Sequence, residues 1–171
     1  MNKINKSIVL KDIDEKEFYN VINSDFHKRV KYFKNRVAGK ETMWLMGSDD
    51  SFFTDLDNNG NEVLLVWPYK EYAEYTVFEN TTFVSQLVEV EIHDFLETCI
   101  SYLQEKNIKL MVFPVKEGSG CALLNPEDFR IMMEEELSKY GDYDDEYEEE
   151  GNSLERRLGK NTNWIVHHQK K

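Results

Sequence analysis

Val63, Leu64, Leu65, Val66 and Trp67 form an unbroken apolar run, closed at once by Pro68 and followed by Tyr69-Lys70-Glu71-Tyr72-Ala73. A strand with one wet face alternates apolar and polar residues, whereas a strand without alternation is covered on both faces. The run therefore predicts a central strand. Pro68 has no amide to give a ladder and ends it. Residues 69–78 then read as a helix with Tyr72, Ala73 and Thr76 facing inward. The fold has to be built around this buried strand and the helix that leaves it directly.

The flanking segments supply partners. Asp14 and Glu17 have capping-box spacing ahead of Phe18, Val21 and Ile22, which predicts a helix over 14–23. Ser24 is the expected cap of a second helix, with Phe26, Val30, Phe33 and Val37 on one face and Gly39 at its end. Lys28, Lys31 and Arg36 fall on the opposite, solvated face in this reading, with Arg29 and Lys34 flanking it. Strands are expected over 42–46, 52–56, 62–67, 83–90, 108–114 and 121–124. The central strand is expected to sit in an antiparallel meander. Ile92, Phe95, Leu96, Cys99, Ile100 and Leu103 keep helical spacing up to a C-cap at Asn107. Asn125-Pro126-Glu127-Asp128 is a helix start, with a cap, proline at the first position and acids in the first turn. The expected fold is α+β: an antiparallel sheet of five or six strands with helices mainly on one face.

With 171 residues, 40% of them hydrophobic, the chain suits one domain with appendages. We divide it into a helical lead at 1–23, a core domain at 24–141 and an acidic, flexible C-terminal tail at 142–171. Two cysteines without a CxxC pair supply no disulfide framework and fit a reducing compartment. The apolar run Ile8-Val9-Leu10 is too short for a signal or a membrane span, so a cytoplasmic protein is expected.

Net charge is −12 but unevenly spread. Residues 1–40 hold ten Lys/Arg against five Asp/Glu, while 134–150 hold ten Asp/Glu against one Lys. The overall sign argues against a nucleic-acid backbone as the main ligand.

Arg29-Val30-Lys31-Tyr32-Phe33, Trp44-Leu45, Trp67-Pro68 with Tyr72-Ala73, and Val112-Phe113-Pro114 occur in that order. Over roughly residues 27–140 this set resembles a family of small bacterial proteins known as domain of unknown function 2750. The resemblance implies a fold and a bacterial or phage origin. It carries no activity and assigns no catalytic residue.

Asp55-Leu56-Asp57-Asn58-Asn59-Gly60 matches half of a calcium loop, but the twelfth position is Val66, so a turn is expected. His93-Asp94 offers an acid–base pair without an evident nucleophile, and an enzyme centred on it is one alternative function. Cys99 and Cys121 read as small buried hydrophobes, and His167-His168 as a tail pair rather than a metal site. Lys116 to Gly120 reads as a hairpin loop, since no helix follows to make it a phosphate cradle. A pocket near Trp67 and Tyr72, taking a small ligand, is the other alternative. No catalytic residue, metal or cofactor is assigned.

The leading expectation is non-catalytic. Asp142, Tyr143, Asp144, Asp145, Glu146, Tyr147, Glu148, Glu149 and Glu150 combine negative potential with aromatic contact area. Together with Tyr69, expected at the surface, they are the predicted contact set for a basic protein partner. A toxin or nucleic-acid-processing enzyme that this chain neutralises fits that description. Direct binding to nucleic acid or membrane is not expected.

Overall fold

The structure is a computed structural model that describes residues 8–48, 51–77, 86–115 and 120–140, and the backbone of 165–168. In chain order the elements are α1 (Glu15–Ile22), α2 (Phe26–Lys40), β1 (Thr42–Ser48), β2 (Ser51–Leu56), β3 (Glu62–Trp67) and α3 (Lys70–Val77). Then follow β4 (Leu87–Glu91), α4 (Ile92–Thr98), α5 (Ile100–Lys106), β5 (Lys109–Val112), β6 (Ala122–Leu124), α6 (Pro126–Ser138) and β7 (Ile165–His168).

The helix starts follow side-chain capping. Asp14 accepts from the Glu17 amide at 2.8 Å, and Asn125 accepts from the Asp128 amide at 2.8 Å ahead of Pro126. The cap of α2 is Asp25 rather than Ser24: its carboxylate takes the Lys28 amide at 2.9 Å, while the Ser24 hydroxyl donates back to Val21. A carboxylate at a helix N-terminus also meets the positive end of the dipole. The end of α2 differs as well. Gly39 lies inside the helix, and Glu41 takes the left-handed turn at φ 66°. Glu41 is held there from both sides, its amide donating to Val37 O at 2.7 Å and its carbonyl accepting from Ile92 at 2.8 Å.

β3 is central, as its composition requires, with every residue from Val63 to Trp67 buried. By alternation Leu64 and Val66 point to one face of the sheet and Val63, Leu65 and Trp67 to the other. Both faces at this strand are therefore covered. The sheet is mostly antiparallel but mixed. Its path is β4-β1-β2-β3-β5-β6, with β7 beside β2. β3 runs parallel to β5, Leu64 opposite Leu110 and Val66 opposite Val112, and β7 runs parallel to β2. The connection from β3 to β5 passes through three helices and β4, which is the long crossover that a parallel pair needs.

β1 is antiparallel both to β2, through Gly47 opposite Phe52, and to β3, through Trp44 opposite Trp67. A flat β1-β2-β3 meander would make the outer two parallel. β2 therefore turns between its ends, pairing with β1 at Phe52 and with β3 at Asp55. Gly47 serves this corner, because a Cβ there would lie 2.2 Å from the Ser51 carbonyl oxygen. The 57–60 segment is a turn: Asp57 accepts the Asn59 and Asn61 amides at 2.9 and 2.8 Å, and Gly60 sits at φ 82°. Asn107 closes α5 in the left-handed conformation, as its position predicts.

Candidate functional site

α2 carries residues that organise the interior and residues that line a cationic groove. Arg29, Phe33 and Val37, spaced by four, are fully buried. The core face is thus rotated from the expected stripe, with Val30 only half-buried and a guanidinium in the core. Arg29 Nε donates to Phe113 O at 3.1 Å and Nη1 to Ser24 O at 2.8 Å, and Nη2 donates to Gly120 O. One side chain ties the start of α2 to the ends of two other segments. Desolvation lowers its pKa, from a reference so high that it stays charged.

The strand end that Arg29 holds is unusual. Phe113 has φ 54° and donates its amide to Val66 O at 2.8 Å. Next to it, Pro114 O accepts from Trp67 Nε1 and from Thr76 Oγ1, both at 3.0 Å. The Tyr72 ring lies 4.8 Å from that of Phe113 and stacks on Phe18 at 5.0 Å. Motifs far apart in sequence thus converge on one buried node. Trp67 and Tyr72 are fully buried in it.

A polar chain leads from the node to the surface. Tyr72 Oη donates to Tyr32 Oη at 2.9 Å, and Tyr32 donates to Glu17 Oε2 at 2.6 Å. Arg36 closes the chain on Glu17 at 2.8 Å and lies 4.8 Å from the Tyr32 ring centre. Burial raises the pKa of both tyrosines well above the ordinary phenol range, and for Tyr32 its bond to Glu17 adds to the effect. Tyr69, expected at the surface, is buried, with 8% of its area exposed. Arg36 donates to its hydroxyl at 3.4 Å and Lys40 lies over its ring at 4.0 Å. Its edge still reaches a cavity of about 590 Å³ shared with Trp44, Lys40, Lys70 and Glu71.

The outer side of α2 is different. His27, Lys28, Lys31, Lys34 and Arg36, with Lys139 at the C-cap of α6, line a groove of about 700 Å³ between the two helices. Glu136 is the acid in its lining, and Tyr140 stands at its end. Asp142, where the acidic stretch begins, follows two residues later. The predicted contact residues Asp142 to Glu150 lie outside the described residues, as do Lys116 to Ser119.

His93 and Asp94 have different neighbours. His93 Nε2 faces Glu41 Oε1 at 3.2 Å, while Asp94 is buried in the first turn of α4 with its amide capped by Glu91. Cys99 is buried between α4 and α5, and burial pushes its thiol up to about 12. Burial also raises Cys121, against the opposing charge of Arg29. Cys121 is half-buried, so the expectation of a buried small hydrophobe holds for Cys99 alone. His167 and His168 lie in β7. No helix among the described residues is long and apolar enough to cross a membrane.

Sequence reasoning missed Arg29 because charge at helical spacing reads as surface. The signal available was its four-residue step to Phe33 and Val37.

A family model, described as a protein of unknown function (DUF2750), matches residues 30–133. The chain belongs to this family. Tyr32, Trp67, Tyr72 and Phe113 of the buried node all lie within the DUF2750 match, and Arg29 stands one residue before it. The acidic stretch lies outside it. No curated protein and no solved structure matches the chain.

Proposed function

We propose that the protein is a non-catalytic binding protein that neutralises a basic bacterial protein, such as a toxin or a nucleic-acid-processing enzyme, through its acidic and aromatic stretch at 142–150. The observation that carries this reading is charge segregation. Cations line the α2–α6 groove, and seven acids in nine residues follow almost directly from its end. Charge segregated along the chain in this way steers encounter with a partner of fixed polarity, and tyrosines among the acids add contact area. The test is affinity purification with the intact chain and with a variant whose acids at 142–150 are replaced by Asn and Gln. A basic protein should co-purify with the intact chain alone and elute as salt rises. Equal capture by the neutralised variant overturns the reading.

A second reading, a small-ligand module, draws on the 590 Å³ cavity where Lys40 and Lys70 stand beside Tyr69 and Trp44. In that case a ligand screen raises Tm without salt dependence, and Trp44→Ala removes the gain.

A further inference from the structure

Glu41, Glu91 and His93 come from three different local structures and meet at one point. Glu41 is the left-handed residue that ends α2. Glu91 ends β4 and caps α4, its Oε1 accepting from Asp94 N at 2.9 Å. His93 lies in the first turn of α4. One ligand atom from each lies within 4.8 Å of the other two. The pair His93 Nε2 and Glu41 Oε1 is already at 3.2 Å. Two ligands on one zinc ion, each at about 2.0–2.2 Å, stand about 3.3–3.5 Å apart in a tetrahedron.

We propose that these three side chains form a site for a first-row divalent cation, with Zn²⁺ as the reference ion. Two carboxylates and a neutral imidazole balance a dipositive charge, and this mixed nitrogen and oxygen donor set suits zinc or manganese rather than a thiolate-seeking metal. The backbone fixes the set in advance. Ile92, between Glu91 and His93, donates its amide to Glu41 O at 2.8 Å, and Thr42 stands opposite Glu91 in the β1–β4 ladder. The left-handed φ of 66° at a non-glycine residue is a local cost that places a carboxylate where the chain could have used glycine. The site is open to solvent: the Glu41 side chain is 39% exposed and that of His93 23%. His93 also borders a cleft of about 370 Å³ between α4 and α6. A bound ion would pin the end of α2 to the β4–α4 junction.

Titration calorimetry and thermal melts of the metal-free full chain with Zn²⁺ test this. One equivalent should bind, with Tm rising as free ion rises. His93→Ala should weaken binding by at least about tenfold. Glu41→Gly is the sharper probe, because glycine suits the positive φ: the metal-free variant should melt no lower than the parent yet lose the ion-dependent gain. The His167→Ala/His168→Ala double variant should keep that gain. The proposal is overturned by an intact chain whose Tm does not respond to Zn²⁺. It is also overturned by unchanged affinity in Glu41→Gly, or by loss of binding in the tail double variant.

Discussion

The two sides of α2 carry the same kind of residue under opposite conditions. On the inner side Arg29 is fully buried and spends its donors on the carbonyls of Phe113, Ser24 and Gly120. On the outer side Lys28 and Lys31 are exposed along the groove. A cation inside the core supports structure because backbone oxygens depend on it, that of buried Phe113 above all. A cation in the groove contributes little to stability and acts through its field. Within a single helix, positive charge has one meaning for folding and another for recognition.

Replacing the inner cation gives the largest expected effect. Arg29→Met keeps the bulk of the stem but strands the buried Phe113 carbonyl and unties those of Ser24 and Gly120, and should cost about 2–4 kcal/mol in urea denaturation. Arg29→Lys keeps the charge without the planar fork, and should recover less than half of that loss. If Arg29→Met were as stable as the parent, the inner side would be no different from the outer.

The alkaline limb of stability comes next. Cys99 titrates at about 12 in the folded chain against an ordinary 9.0, and burial lifts Tyr72 and Tyr32 above their ordinary 10.0. The folded state keeps these protons while the unfolded chain loses them. Stability is therefore fully present below pH 9 and falls as pH rises past 9 and then 10, by about 1 kcal/mol or more per pH unit. Lys40, lowered by burial, works in the opposite direction. Urea melts from pH 7 to 11 should show a net decline, and Cys99→Ala should flatten its first part.

Tyr72→Phe removes the inner link of the polar chain but leaves Tyr32 bonded to Glu17. A loss of about 1 kcal/mol is expected, from the same denaturation measurement. The smallest effect belongs to the outer side. Lys31→Ala with Lys34→Ala should change stability by no more than about 0.5 kcal/mol. The pair should nonetheless alter the salt dependence of any complex formed through this surface.

What was legible in the sequence follows from how local each cause is. Asp14, Asn125, Gly60 and Asn107 act on neighbours within a few residues, and each does what its position predicts. The central place of β3 was legible because burial on two faces leaves a run without alternation. Its parallel partner was not, since nothing in Val63 to Val66 distinguishes a parallel neighbour from an antiparallel one. Arg29 and Tyr69 were misplaced for a related reason. Their surroundings are distant carbonyls for Arg29 and, for Tyr69, Lys40 over the ring with Arg36 at the hydroxyl, none of which a periodicity records. The same holds for Glu41, whose turn is held by an amide in α4.

The β3–β5 pairing sets an order on synthesis. As the chain leaves the ribosome, β3 emerges with one long edge whose complement is translated only after α3, β4, α4 and α5. Until then that edge is open to any passing strand. A message cut short ahead of residue 109 would therefore yield not a smaller domain but a sticky fragment, and the nascent protein depends on its last third to become inert.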